Sequence, residues 1–260
     1  MQPSQRHEAI VSLLRDASEI SVEEFAKKLG VSKETIRRDL THLDAAGHLH
    51  KFHGGARPMA LALVAGDKEG PFAQRMAQNI EAKRRIARTA GRLFKPGDSL
   101  FIDTGSTTVA MAESLAQLSG LTVITNSPRI AATVAANNTH KVFLLGGAYS
   151  ADAGESVGPL ALEQVGKFRA GHVILTVGAI DVACVMDFDL HEAEMAKAMI
   201  ERADRVTVLA DRSKFDRQAV FEVAALRKIH AVVTDVPPSD RMARSFGAAG
   251  VSLIVASDTA

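Results

Sequence analysis

Two stretches of this 260-residue chain carry side chains whose types and spacing suit the handling of an anion. The first is "FIDTGSTT", Phe101–Thr108, where an apolar run gives way to a helical pattern. Gly105 permits close backbone approach, and Asp103, Thr104, Ser106, Thr107 and Thr108 supply polar groups around it. The opening N–H groups of a helix, at the positive end of its dipole, form an anion site. A phosphate is the natural guest; a helix start with redundant hydroxyls is the other reading of this stretch alone. The second is "GVSKETIRRDL", Gly30–Leu40. Ser32 can cap a helix there whose apolar set, Ile36, Leu40 and Leu43, faces inward. Lys33, Glu34, Thr35, Arg37 and Arg38 are left outside. Arginine meets phosphates or guanine edges with a two-pronged fork, and threonine meets a thymine methyl or a phosphate. A plain solvated helix face is the alternative.

The elements that must position these groups follow from pattern. Ile10, Leu13 and Leu14 share one helical face. "SVEEFAKKLG" has Ser21 as N-cap with Glu24 three residues on, Val22, Phe25, Ala26 and Leu29 on one face, and Gly30 as the stop. A helix, a glycine turn and a second helix make the helix-turn-helix arrangement, whose second helix leads into the major groove. "HLHKFHGGA" then reads as a small β-wing, with Lys51, His53 and Arg57 able to reach phosphates. Residues 58–80, with Pro58, Gly66, Gly70 and Pro71 and little periodicity, read as a linker.

Beyond about residue 80, "SLFID", "LTVIT", "KVFLL", "HVILTVG", "RVTVLA", "AVVTD" and "VSLIVA" read as buried strands. Helical segments such as "TTVAMAESLAQL", "PRIAATVAAN" and "LHEAEMAKAMIERA" lie between most of them. Strands alternating with helices imply an α/β domain with a parallel sheet covered on both faces. Ligands then bind at the carboxyl ends of the strands. Asn126, Gly146, Gly147, Asp211 and Lys214 follow predicted strands and can share a pocket with the Gly105 loop. Lys214 would bring charge to a phosphate, and Asp103, Asn126 and Asp211 would bind hydroxyls. "EAKRRIARTAGRLFK" reads as a helix on the sheet with Ile86, Ala90 and Leu93 inward, in preference to a second DNA contact.

Composition narrows the classes. Hydrophobic residues make up 47% and the net charge is only +1, so any DNA-reading surface is local. One cysteine, Cys184, cannot build a disulfide framework and suits a reducing compartment. No apolar run reaches the length that spans a bilayer, and "MQPSQRHEAI" lacks an apolar signal core. A cytoplasmic location is expected. "HEAE" at His191–Glu194 has Met195 where a zinc helix needs histidine, so no metal is expected. Neither a Walker loop nor a dinucleotide fingerprint accompanies Gly105, so no cofactor is expected either.

"RHEAIVSLL" with "ISVEEFAKKLGVSKETIRRDLTHLDAAGHLHKFHGGA" resembles the winged helix of DeoR-type bacterial transcription regulators. "KRRIARTAGRLFKPGDSLFIDTGSTT", "VITNS", "LLGG" and "ADRSKF" resemble the effector domain of the same family, through about residue 235. The resemblance implies a winged helix-turn-helix over 1–57, a linker over 58–80, and an α/β effector and oligomerisation domain over 81–260. The fold implied for the last is like that of ribose-5-phosphate isomerase. It also implies that Ser32, Lys33, Thr35, Arg37 and Arg38 meet double-stranded operator DNA, and that the protein binds as a dimer or tetramer. A phosphate loop at Asp103–Thr108, with Lys83, Asn126, Gly147 and Lys214 near it, would take a phosphorylated effector that lowers operator affinity. "DFDLHEAE" and "TDVPP" most resemble the glycerol-3-phosphate regulon repressor branch, whereas "GAIDVACVMDF" departs from the wider family. The implied function is a repressor with no catalytic residues. The rival is a sugar-phosphate isomerase-like enzyme with an appended DNA-binding domain, using Asp103, Asp181 or Asp211 as base.

Overall fold

Caps set the helices of the first 57 residues. α1 (Pro3–Arg15) and β1 (Ile20–Ser21) precede α2 (Val22–Leu29), where the Ser21 hydroxyl accepts from the Glu24 amide at 3.1 Å. Gly30 ends α2 in the left-handed region, φ 64°, and its amide donates to the Ala26 carbonyl. Ser32 then caps α3 (Lys33–Ala45), its hydroxyl accepting from the Thr35 amide at 3.1 Å. β2 (His50–Phe52) and β3 (Gly55–Arg57) close the wing as an antiparallel sheet in the order β1-β3-β2. Ile10, Leu14, Phe25, Ile36, Leu40 and Leu43 form the core beneath it.

A buried acid ties the first helix to the third. Asp39 on α3 accepts from the Arg6 guanidinium at 3.0 Å and lies 2.9 Å from His7. Burial pushes the Asp39 carboxyl up, but the bonds to Arg6 and His7 outweigh it and hold the pKa below the usual range. The groups that face solvent on α3 are thereby separated from the one that holds it in place.

This computed structural model describes residues 3–15, 20–45, 49–52, 54–57 and 70–257. The chain divides into two units, Met1–Asp67 and Lys68–Ala260. His53 of the expected wing set lies outside the described residues.

In the larger unit, all seven apolar runs become strands of one parallel sheet. They are β4 (Ser99–Ile102), β5 (Thr122–Thr125), β6 (Lys141–Leu144), β9 (Ala170–Thr176), β12 (Ala203–Leu209), β14 (Ala231–Thr234) and β15 (Ser252–Val255). Their order is β15-β14-β12-β9-β4-β5-β6. α5 (Ile80–Gly91), α6 (Ser106–Leu115) and α7 (Pro128–Ala135) share one apolar cluster with the sheet. α8 (Pro159–Val165), α9 (Leu190–Ile200) and α10 (Asp240–Ala249) share the other. Alternation along β4 shows the two faces: Leu100 and Ile102 join the first cluster, Phe101 the second. The unit adds a hairpin, β7 (Ala148–Ser150) and β8 (Glu155–Val157). It also adds a small antiparallel sheet of β10 (Ala179–Ile180), β11 (Cys184–Asp187) and β13 (Phe221–Ala225).

Three expectations change. Residues 72–77 of the expected linker form a helix, α4 (Phe72–Ala77), because buried Phe72 anchors it. Leu93 is exposed and Phe94 is buried in its place, since α5 stops at Gly91 and the helical spacing ends with it. β6 and β15 are the sheet edges, not buried strands, and leave Phe143, Leu144 and Val255 exposed.

Candidate functional site

The outer face of α3 carries the groups expected to meet DNA. Ser32, Lys33, Arg37 and Arg38 are exposed and Thr35 is half-buried, while Ile36, Asp39 and Leu40 are inside. The exposed cations meet only neighbouring acids in the contacts described. Lys33 bonds Glu23 of α2 at 2.6 Å, and Glu34 lies 3.5 Å from Arg37 and 3.8 Å from Arg38. Ser32 and Thr35 bond each other at 2.9 Å, so their hydroxyls first serve the helix start. Lys51 is a brace: its ammonium donates to Thr41 at 2.7 Å and its amide to Asp44 at 3.0 Å.

In the larger unit, strand order reverses between β4 and β9. β5 and β6 lie to one side of β4, and β9 and all later strands of the sheet to the other. A crevice opens outside the carboxyl ends at such a point. The Gly105 loop occupies it. Both oxygens of the Asp103 carboxylate accept from the Thr176 amide at the end of β9, at 2.9 and 3.1 Å. A Cβ on Gly105 would lie 1.8 Å from the Thr176 hydroxyl, so the close approach that demands glycine is to β9. Gly105 has no side chain with which to cap α6, and the first amides of that helix lack intrahelical acceptors.

Many of the expected ligand groups are spent on building the loop. Thr108 is fully buried and its hydroxyl donates to the carbonyls of Asp103 and Gly105 at 3.0 Å. The Thr104 hydroxyl donates to the Asn126 side-chain oxygen at 3.1 Å. Asn126 in turn donates to the Glu155 carboxylate at 2.8 Å and to the Ser156 carbonyl at 3.2 Å. Thr107 is buried and Ser106 is the half-exposed hydroxyl of the set. Gly147 stands where a Cβ would meet the Val157 carbonyl at 2.6 Å, a packing reason for glycine. Lys83 is buried on α5 and donates to the Arg75 carbonyl of α4. Lys214 is half-buried on the 3-10 turn Arg212–Lys214 after β12. Asp211 caps that turn and accepts from the Asn79 side-chain nitrogen at 3.1 Å.

Sequence reasoning missed Glu155. It is 2% exposed, and burial pushes its carboxyl up to about 7 against hydrogen bonds from Thr104 and Asn126. Nearby Asp189 raises it further and Arg75 lowers it. Burial also raises Asp103 well above the carboxylate range, with Glu155 and Asp187 adding to the effect. A carboxyl near 7 both donates and accepts hydrogen bonds at neutral pH, which suits a hydroxyl-bearing ligand. An open cleft of about 640 Å³, which the sequence did not suggest either, is lined by Asn79, Arg84 and Arg85 and by Arg212, Asp235 and Val236.

The three acids proposed as catalytic bases are committed to backbone amides. Asp103 receives Thr176, Asp181 receives Ala183 and Cys184 at 2.8 and 2.9 Å, and Asp211 receives Ser213 at 2.9 Å. The Cys184 thiol is pushed up to about 11 by burial and by Asp181 and Glu222, far from a reactive thiolate. His191 is exposed on α9 with Glu194 3.7 Å away.

Residues 6–59 match a DeoR-like helix-turn-helix domain, and residues 78–236 a DeoR C-terminal sensor domain. The chain is 34% identical to the glycerol-3-phosphate regulon repressor of Escherichia coli, covering 92% of this chain and 93% of that protein. It is 32% identical to the transcriptional repressor AccR of Agrobacterium fabrum, covering 88% of each. Among solved structures, ribose 5-phosphate isomerase A of Neisseria gonorrhoeae matches with a TM-score of 0.39 at 16% identity, covering 52% of this chain and 53% of that one. The beta subunit of eIF2B from Chaetomium thermophilum matches with a TM-score of 0.47 at 13% identity, covering 95% and 69%. Among the described residues no helix is long and apolar enough to cross a membrane. With a helix-turn-helix domain ahead of a sensor domain, and relatives named as repressors over nearly its whole length, the chain belongs to the DeoR family of transcription regulators and is not an enzyme.

Proposed function

We propose that this regulator represses a carbohydrate or polyol catabolic operon and is released from its operator by a phosphorylated metabolite, glycerol 3-phosphate or a sugar phosphate. The smaller unit reads DNA through Ser32, Lys33, Thr35, Arg37 and Arg38, with Lys51 supporting the helix. The larger unit, 81–260 with α4 before it, holds the effector and joins copies into a dimer or tetramer in the cytoplasm. One observation carries the sensing half: the start of α6 lies at the strand-order reversal, pinned there by Asp103 and Thr176. Its amides and Ser106 suit a phosphate, with Lys83 supplying charge. Asn126 and Glu155 suit the hydroxyls of the same molecule. Asp103, Thr104, Thr107 and Thr108 fix the loop from behind. Gly147, Asp211 and Lys214 belong to loops at the same ends of the sheet. The glycerol 3-phosphate assignment draws on the named relatives.

Release requires the effector to favour a state that holds the DNA-reading helices wrongly. A full reversal of occupancy takes about 5.5 kcal/mol of preference between the two states. A thermal-shift screen of the full chain against glycerol 3-phosphate, pentose phosphates and hexose phosphates tests the reading, because a specific ligand raises the melting temperature by linkage. The active compound should also dissociate the operator complex in a gel shift. A ligand whose effect survives Ser106→Asp and vanishes in Arg212→Gln would move the sensing site to the arginine-lined cleft.

A further inference from the structure

The short helix α4 is fastened to the rest of the larger unit at three points. The Phe72 amide donates to the Asp152 carboxylate at 3.2 Å, and the buried Phe72 ring lies beneath the guanidinium groups of Arg75, at 5.1 Å, and Arg129, at 5.8 Å. The Arg75 carbonyl accepts from the Lys83 ammonium. The Arg75 guanidinium reaches Glu192 of α9 at 3.6 Å and acts on Glu155, lowering its pKa. Six residues do not sustain a helix alone, so these tertiary contacts hold it. α4 is also the first described element after residues 58–69, through which the chain passes from the DNA-reading unit to the sensing one.

Around this corner Arg75 stands between Glu155 and Glu192, and Lys83 bonds its carbonyl. A phosphate at the start of α6 needs a cation to offset its own charge. Arg75 is well placed to be one: its helix packs against α6, and it bears on Glu155, which accepts from Asn126 of the cradle. Its link to Glu192 is an ion pair at 3.6 Å, beyond hydrogen-bond length. Guanidinium to phosphate is a shorter, two-pronged bond. The Glu192 side chain is 19% exposed, so water can take over its solvation once the arginine leaves.

We propose that Arg75 reads the effector by exchanging Glu192 for its phosphate, and that this exchange re-seats α4 at the entrance to the sensing unit. The proposal rests on the reading above, that the α6 cradle takes a phosphorylated compound. Arg75 then contacts the ligand and marks its presence on the segment that leads to the DNA-reading unit. A purely structural ion pair would instead make loss of either partner equivalent.

The test uses the full chain, with sn-glycerol 3-phosphate and inorganic phosphate as probes in calorimetric titrations. Arg75→Gln should weaken binding at least tenfold. Glu192→Gln should strengthen it about threefold by removing a carboxylate that competes with the phosphate, and the double variant should match Arg75→Gln. Hydrogen exchange at 72–79 should change with ligand in the wild type and not in Arg75→Gln. Equal losses from both single substitutions, or unchanged affinity in Arg75→Gln, overturn the proposal while leaving the cradle intact. If Arg75→Gln fails to fold, Glu192→Gln decides, and the absence of tighter binding counts against the exchange. If the wild type binds neither probe, the phosphate reading of the site fails and takes this proposal with it.

Discussion

On α3, Arg37 and Arg38 stand in solvent with Glu34 beside them, and the helix is held by Asp39 and three apolar residues on its other face. At the start of α6, Asp103, Thr104, Thr108 and Asn126 are buried, and each is bonded to another member of the set or to backbone. On the proposed reading, the first surface keeps recognition and folding on separate residues, and the second uses the same polar groups for both. A surface that meets a large polyanion needs exposed, adaptable cations. A pocket for a small molecule needs pre-set donors, and a pre-set polar group must be satisfied where it is buried. Substitutions on α3 should therefore change binding alone, whereas substitutions at the cradle should change stability and binding together.

The widest separation is expected from the double substitution Arg37→Ala, Arg38→Ala. Each arginine contributes about 1–3 kcal/mol to a specific complex, so operator affinity should fall about a thousandfold. The thermal midpoint should stay within about a degree, since exposed substitutions away from caps cost little. Gel shifts paired with calorimetric melting check both halves. A large drop in the melting midpoint would show that the two jobs are not separated on α3.

Glu155→Gln probes the cradle from the side of charge. The folded-state carboxyl is raised to about 7 from an unfolded 4.5, so the folded protein binds more protons than the unfolded chain between those values. Stability from this group is therefore complete below about pH 4.5 and is lost as pH rises through about 7. The loss totals about 3 kcal/mol at 1.36 kcal/mol per unit. The glutamine variant should be more stable than wild type at pH 8 and should show a flatter stability profile between pH 5 and 8. Asp103, raised for the same reason, should leave a residual slope. Urea titrations at several pH values measure this. If the glutamine is less stable at pH 8, hydrogen bonding to the carboxylate outweighs its burial.

Gly105→Ala tests sterics at the same place. Its Cβ would meet Thr176 at 1.8 Å, so the loop must move off β9 at a cost of about 2 kcal/mol. Phosphate-compound binding should fall with it. Unchanged stability would mean that the pin between β4 and β9 is slack.

What the sequence disclosed follows the same division. The α3 face was legible apart from half-buried Thr35, because exposure follows from a 3.6-residue period once Ile36, Leu40 and Leu43 are recognised as core. The parallel sheet was legible because its strands are apolar runs between helical patterns, and the Gly105 loop was legible as following a strand; the strand order, with its reversal at β4, was not. The roles of Thr108 and Asp103 were not legible. Whether a hydroxyl faces a ligand or its own backbone is decided by tertiary geometry at Thr176, 73 residues away. Glu155 was hidden in a three-residue strand too short to show alternation, and its partners, Thr104 and Asn126, come from two other loops. Arg75 was hidden because Gly70 and Pro71 signal a break, and the helix after them depends on contacts with Asp152, Lys83 and Glu192.

The smallest expected effect is the most direct probe of how α3 is held ready. Glu34 sits in the first turn beside both arginines and faces the side on which phosphates would arrive. Its pairs are long and exposed, so each is worth well under about 1 kcal/mol. In the complex the carboxylate would be repelled by the DNA backbone while no longer needed by the arginines. Glu34→Gln should therefore tighten operator binding about two- to threefold at low salt. The gain should fade as salt is raised, because screening removes the repulsion as well as the pairs. Stability should fall by only about 0.3 kcal/mol, the loss of an acid near a helix N-terminus. If Glu34→Gln instead weakens the complex at every salt concentration, the glutamate orients the arginines. Recognition and local order on α3 would then be as entangled as they are at the cradle.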